Sequence, residues 1–145
     1  MSFVVIDFNG TMYDPESGTL MSGGKELLEK LKKKGATMVL VSKQVLGREG
    51  LPAQLGIAKY FAEVLFVEQK TGALFLEIMG QYGAKPENTY VIGDYPPSEI
   101  RAGNEAGAFT IHFIGGRYPS IEYVDDLEKP NVQIERLTDA LEYIR

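Results

Sequence analysis

Five short apolar runs, each separated from the next by a helical pattern, constrain this chain more than any other feature. They are residues 3–7 (FVVID), 37–42 (TMVLVS), 63–67 (EVLFV), 89–93 (TYVIG) and 108–113 (AFTIHF). All are rich in β-branched or aromatic residues, and several are apolar on both faces, as strands of a covered parallel sheet must be. Between them the period changes. Over 25–34, Leu27, Leu28 and Leu31 share one face, while Glu26–Lys30 and Glu29–Lys33 place acid before base four residues apart. Gly35 is the stop signal for that helix. Over 71–82, Leu74, Phe75, Ile78 and Met79 line one side, and Gly83 ends the pattern. A small-residue helix is predicted over 98–106, closed by Gly107, and a final helix over 137–144.

The alternation β-α-β-α-β-α-β-α-β has crossovers of the length right-handed βαβ units need. It predicts an α/β fold, a three-layer Rossmann-like parallel sheet with helices on both faces, in a single domain spanning 1–145. Ligands of such sheets bind outside the carboxyl ends of the strands. The polar residues at those ends are therefore the candidates for chemistry.

Asp7 ends the first strand, Ser42 the second and Asp94 follows the fourth, while Lys70 lies between the third strand and the next helix. Each type has a separable use. A carboxylate at Asp7 can attack phosphorus and form an acyl phosphate. Asp7 and Asp94 are hard oxygen ligands suited to Mg²⁺, which takes one or two carboxylates plus a phosphate. Ser42 can donate to a phosphoryl oxygen, and Lys70 can neutralise the nucleophile and the phosphate. Gly10 allows a sharp turn that points the following amides at the same anion. Taken singly, each has a bland reading: a strand-end Asp is often a cap, and a lysine at a helix start is often solvated. Their joint order and placement is the signal.

Those residues resemble the motifs of the haloacid dehalogenase superfamily, in its capless form. "DFNGT" at 7–11 is similar to its first motif, usually Asp-x-Asp-Gly-Thr, and "MVLVS" ending at Ser42 to its second. Lys70 is similar to the third-motif lysine. "VIGDYPPSEIRAGNEAGA" at 91–108 resembles the fourth. The resemblance runs from Phe3 to about Phe113. It implies a Mg²⁺-dependent phosphohydrolase acting on a phosphate monoester through an aspartyl phosphate on Asp7. Asp7, Asp94, Glu99 and the backbone carbonyl of Asn9 would hold the metal, while Ser42, Lys70 and Gly10 would hold the phosphoryl group.

Two positions depart from the pattern. Asn9 stands where phosphate-ester hydrolases of the superfamily usually have an Asp that protonates the leaving group and then activates water. An amide cannot cycle a proton near neutral pH, which costs on the order of 10²- to 10⁴-fold in rate. Asn9 is compatible with a slow phosphatase, with a phosphotransferase, with a catalytically silent phosphate- and metal-binding or regulatory module, or with an artificial Asp→Asn change. Asn9-Gly10 is also the dipeptide most prone to deamidation. The second departure is Glu99, where Asp is usual. Glu is one methylene longer and can still reach a metal-bound water or Lys70, although a first-turn Glu is also favoured by the helix dipole alone.

The gaps bear on the substrate. Met12–Thr37 leaves room for a flap and one helix, and Lys43–Gln69 for one helix and one strand, so neither holds a cap domain. An open site suits a phosphorylated small molecule or something larger, or closure by a second copy in a homo-oligomer. Tyr13, Lys43, Gln44 and Tyr95 are candidates for specificity. Arg117, in the loop 115–119, is either an anion ligand or a solvated arginine. The single histidine, His112, reads as a packed strand residue.

Composition removes several classes. A net charge of −5 with no basic run argues against a nucleic-acid partner. Absence of cysteine excludes disulfides, thiol nucleophiles and thiolate metal sites. No apolar run reaches the ~18 residues of a membrane span, and no basic-then-apolar leader opens the chain. The expectation is a cytoplasmic protein without a membrane partner.

Overall fold

The computed structural model describes residues 1–119 and 121–145. The apolar runs become strands β1 (Phe3–Asp7), β4 (Thr37–Lys43), β5 (Glu63–Val67), β6 (Thr89–Gly93) and β7 (Phe109–Phe113). A short strand, β8 (Val132–Ile134), joins them. All pair in parallel in the order β5-β4-β1-β6-β7-β8. The chain builds outward from β1 to β5, then returns to build the other half from β6. The switch point therefore lies between β1 and β6, where open sheets of this class leave a crevice.

Alternation along the strands fills two cores, because successive side chains leave opposite faces of a sheet. Val4 and Ile6 of β1, with Met38 and Leu40 of β4, pack against Leu27, Leu28 and Leu31 of α1 (Gly24–Lys33) and against Leu137, Ala140 and Ile144. The one-turn helix α2 (Leu51–Gln54) and Ile57 and Phe61 beyond it complete this face. Phe3, Val5, Val39 and Val41 face the other way. They meet Phe75, Ile78 and Met79 of α3 (Gly72–Gln81) and Ala102 of α4 (Arg101–Glu105).

Local signals account for the boundaries. The Thr71 side chain caps α3 by accepting from Leu74 N–H at 3.1 Å. Gly35 follows α1 with φ 87°, the left-handed conformation that ends a helix without a Cβ penalty. Between β1 and α1 the flap is a two-stranded hairpin, β2 (Tyr13–Asp14) with β3 (Thr19–Leu20). Neither this segment nor that between β4 and β5 holds a domain, as the gap lengths predicted.

The structure differs from expectation in three places. The predicted helix over 98–106 is two pieces, a π-helical turn over Pro96–Ile100 followed by α4. The final helix is a 3₁₀ segment, Leu137–Glu142. β8 was not predicted, since three residues are too few to show a period. It extends the sheet because Asn131 ties the chain to β7: its N–H donates to the Thr110 carbonyl at 2.9 Å, and its side-chain oxygen accepts from Thr110 N–H at 2.8 Å. Among the described residues no helix is long and apolar enough to cross a membrane.

Candidate active site

At the carboxyl end of β1 the backbone turns at once. The Phe8 carbonyl accepts from the amides of Thr11, Met12 and Tyr13 at 3.2, 2.9 and 2.9 Å. Asp7 is thereby left at the sheet edge with little solvent contact, 6% exposed. Thr11 Oγ1 donates to its Oδ2 at 2.9 Å, and Lys70 Nζ donates to its Oδ1 at 2.5 Å. Both carboxylate oxygens are thus oriented by buried partners, which fixes the side chain. Thr11 was quoted in the sequence motif without a role. Its place four residues after Asp7, across a tight turn, is the signal that could have assigned one.

Gly10 adopts φ 84°, and a Cβ there would lie 2.1 Å from Asp94 Oδ2. Its own amide donates to the Tyr13 carbonyl at 2.8 Å. Glycine is therefore needed here for the turn and for the approach of Asp94. Gly116 has the same use from the other side, since its Cβ would lie 2.3 Å from the Gly10 carbonyl oxygen. The loop after β7 is in this way seated directly on the turn after β1.

Asp94 follows β6, next to Asp7 across the switch point, and is 1% exposed. Glu99 comes from the π-helical turn and reaches back over Gly93, where a Cβ would lie 2.1 Å from Glu99 Cγ. One of its oxygens accepts from Lys70 at 3.2 Å and the other from Tyr95 N–H at 2.8 Å. The extra methylene of Glu is thus absorbed by a widened turn and a glycine beneath it. Lys70 is shared between Asp7 and Glu99.

The charges explain the protonation equilibria. Burial alone lowers the pKa of an amine, but the charges of Asp7 and Glu99 and their hydrogen bonds outweigh it, so Lys70 is held well above its ordinary value. Burial, then the charges of Asp7 and Glu99, push Asp94 up to about 8. Burial and the Asp7 charge likewise raise Glu99, against the opposing pull of Lys70. Asp7, Asp94 and Glu99 each offer an oxygen within 4.8 Å of the other two. Three crowded carboxylates with one ammonium lack a positive charge, and a small divalent cation with oxygen preference supplies it. The donor set fits Mg²⁺.

Other candidates fall into two groups. Lys43, Tyr95 and Arg117 line the same cleft of about 350 Å³ as Asp7, Asn9, Asp94 and Lys70. Arg117 donates its backbone N–H to Asp94 Oδ2 at 3.2 Å, and its side-chain Nε lies 3.8 Å from that oxygen. With its amide oxygen turned toward Arg117, Asn9 accepts from both terminal guanidinium nitrogens at 3.1 and 2.8 Å. Arg48, which nothing in the sequence had singled out, also lines the cleft. Ser42 does not line it in this conformation: it is fully buried, and its hydroxyl donates to the Lys43 carbonyl at 3.3 Å. Tyr13 stacks on Phe8 with centroids 5.2 Å apart, away from the cleft. His112 is buried on β7, with Nδ1 3.0 Å from the Tyr123 hydroxyl.

Comparison with known proteins gives matches over most of the chain. The model of the haloacid dehalogenase-like hydrolases matches residues 3–107. A glyceraldehyde 3-phosphate phosphatase of Methanopyrus kandleri is 32% identical over 97 residues, covering 63% of this chain and 42% of its own. The pyrimidine 5'-nucleotidase PynA of Streptococcus pneumoniae is 33% identical over 108 residues, covering 70% of this chain and 46% of its own. The chain thus spans less than half the length of these curated relatives. A haloacid dehalogenase-like family hydrolase from Xanthomonas campestris superposes with a TM-score of 0.80 at 12% identity, covering 99% of this chain and 96% of that one.

Proposed function

This chain belongs to the haloacid dehalogenase-like hydrolase family, and from that premise we propose that it is a Mg²⁺-dependent phosphatase that hydrolyses phosphate monoesters through an aspartyl phosphate on Asp7. The observation that carries this reading is the convergence of Asp7, Asp94, Glu99 and Lys70 at the switch point, with Lys70 bonded to both Asp7 and Glu99. The phosphatase names of the two curated relatives support the reaction class.

In the first step an Asp7 carboxylate oxygen forms a bond to phosphorus and the ester P–O bond breaks, its electron pair leaving on the alcohol oxygen. Lys70 and Thr11 hold the attacking carboxylate in place. In the second step water attacks the phosphorus, freeing Asp7 and inorganic phosphate. Asp7, Asp94, Glu99 and the carbonyl of Asn9 would hold Mg²⁺, which screens the phosphoryl charge and orients the transfer. Asn9 supplies no proton to the leaving oxygen, so the alkoxide takes one from water, and turnover is slow. The test is release of inorganic phosphate from an aryl phosphate, with and without Mg²⁺, by the chain as it stands and by Asn9→Asp. Mg²⁺-dependent release supports the reading, and its absence from both proteins overturns it.

Asn9 also favours a second reading, a phosphate- and metal-binding module without turnover. Its amide is engaged by Arg117, which makes this position a fixed hydrogen-bond partner in place of a proton donor. Mg²⁺-dependent phosphate binding with no hydrolysis by either protein would select it. Transfer of the phosphoryl group to an added alcohol in preference to water would instead select a phosphotransferase.

A further inference from the structure

The cleft has a charge pattern that hydrolysis of a simple monoester does not use in full. Its floor carries Asp7, Asp94 and Glu99 against Lys70. A bound divalent cation would bring that floor to neutrality. A phosphoryl dianion is then left to the cations of the rim, of which there are three: Lys43, Arg48 and Arg117. They outnumber its charges.

Nor are these three spent elsewhere. Among the described residues neither Lys43 nor Arg48 lies within 4.0 Å of a carboxylate, whereas the surface pairs Lys30–Glu26 and Lys129–Asp126 are closed at 3.0 Å. Arg117 has one long contact to Asp94, Nε to Oδ2 at 3.8 Å, and otherwise meets the neutral amide of Asn9 and the Tyr118 ring. In a chain of net charge −5, three cations converging on one cleft, two of them without a carboxylate partner and the third with only a long contact to Asp94, are a local reversal of sign. They also come from two separate parts of the chain, Lys43 from the last position of β4 and Arg48 from the segment after it, and Arg117 from the segment after β7. Both segments leave the carboxyl edge of the sheet, one on each side of β1.

We propose that the alcohol portion of the substrate carries a second anionic group, a carboxylate or a phosphate, held at the rim by Lys43, Arg48 and Arg117. This inference rests on the phosphatase reading above and names the substrate class within it. The size of the cleft, about 350 Å³, suits a small molecule with its two anions a few bonds apart. Arginine suits the task because its planar fork binds carboxylate or phosphate with two parallel hydrogen bonds. Arg117, placed between Asn9 and the rim, exchanges the Asn9 oxygen for the incoming anion.

Binding of non-hydrolysable ligands tests this without dependence on turnover. Propylphosphonate and 3-phosphonopropionate differ by a methyl against a carboxylate, and 4-phosphonobutyrate lengthens the spacing by one methylene. Calorimetric titration with Mg²⁺ present is expected to show at least about tenfold tighter binding of one carboxylate ligand than of propylphosphonate, as one charge-assisted hydrogen bond gives. In Arg48→Gln and Arg117→Gln that preference is expected to fall to about twofold or less. Lys59→Gln, a lysine over the Tyr60 ring outside the cleft, is the control for general charge loss. Equal affinity for all three ligands overturns the proposal, as does a preference that survives both arginine changes or is lost equally in Lys59→Gln. In those cases propylphosphonate still binds and the phosphatase reading stands. Failure of every phosphonate to bind with Mg²⁺ overturns both.

Discussion

Asn9 sits two residues beyond the proposed nucleophile with its side chain in hydrogen-bond contact with Arg117, so both proton supply and charge at this spot follow from one residue. Restoring an acid by Asn9→Asp is expected to raise phosphate release by ~100-fold or more, read in an initial-rate assay. The neighbouring guanidinium gives the gain a pH signature. A carboxyl group beside Arg117 loses its proton at a lower pH than an ordinary one, because the positive charge favours the ionised form. The advantage of Asn9→Asp is therefore expected to be largest on the acid side of its profile and to shrink as pH rises. Gly93 is the other decisive single position. A Cβ there meets the Glu99 side chain, so Gly93→Ala is expected to cost about 1–3 kcal/mol in denaturant unfolding and to displace Glu99 from Lys70.

Among the elements, the attachment of β8 shows how a segment with little sequence signal is held. Thr110 is fully buried, and its hydroxyl lies 2.8 Å from the Asn104 side-chain oxygen and 3.1 Å from the Asn131 amide that donates to it. Asn104 in turn donates to the carbonyls of Leu127 and Lys129 at 2.7 and 2.8 Å. Thr110→Val keeps the shape and removes the hydroxyl, so the half-buried Asn104 side-chain oxygen loses its donor while Asn131 keeps its two backbone bonds to Thr110. A loss of about 1 kcal/mol is expected in chemical denaturation. The last 3₁₀ segment packs Leu137 and Ala140 on α1, which carries the chain back across the first core. The π-helical turn at Pro96–Ile100 serves the site directly. An i→i+5 turn, a form frequent at functional sites, lets a Glu reach where the motif ordinarily has Asp.

Over the whole molecule, the crowded carboxylates tie stability to pH and to metal. Asp94 is raised in the folded state to about 8 from an ordinary carboxylate value. The folded chain therefore holds a proton that the unfolded chain releases, and stability falls as pH rises through that interval. Without metal, Tm is expected to drop between about pH 5 and pH 8. Mg²⁺ binds the ionised form, so its stabilising effect is expected to grow over the same range, as RT ln(1 + [L]/Kd) with a pH-dependent Kd. Scanning calorimetry with EDTA and with Mg²⁺ at three pH values measures both trends. An increase of Tm with pH in EDTA would contradict the burial and repulsion assigned to this cluster.

By itself the sequence determined the five long strands, the helices α1 and α3 with their ends, and the edge of the sheet on which the polar residues gather. These follow from apolar periodicity, from stops such as Gly35 and Gly83, and from the geometry of βαβ units. All of these act between residues close in the chain. Asp7, Lys70 and Asp94, with Ser42, were legible as a set for the same reason, since each stands at a fixed place relative to an element end, while Glu99 was legible only through the resemblance to the fourth motif. Only the tertiary structure decided the rest. Arg117 read more readily as a solvated arginine than as an anion ligand until the Gly116–Gly10 contact seated its loop on the turn after β1. Arg48 had no signal at all. From the sequence Ser42 ends its strand, but β4 continues to Lys43, and the Ser42 hydroxyl turns to that neighbour's carbonyl. The strand order that brings β6 beside β1, and so Asp94 beside Asp7, is likewise long-range. Contacts between distant segments are selected by packing and charge in three dimensions, and no local pattern encodes them.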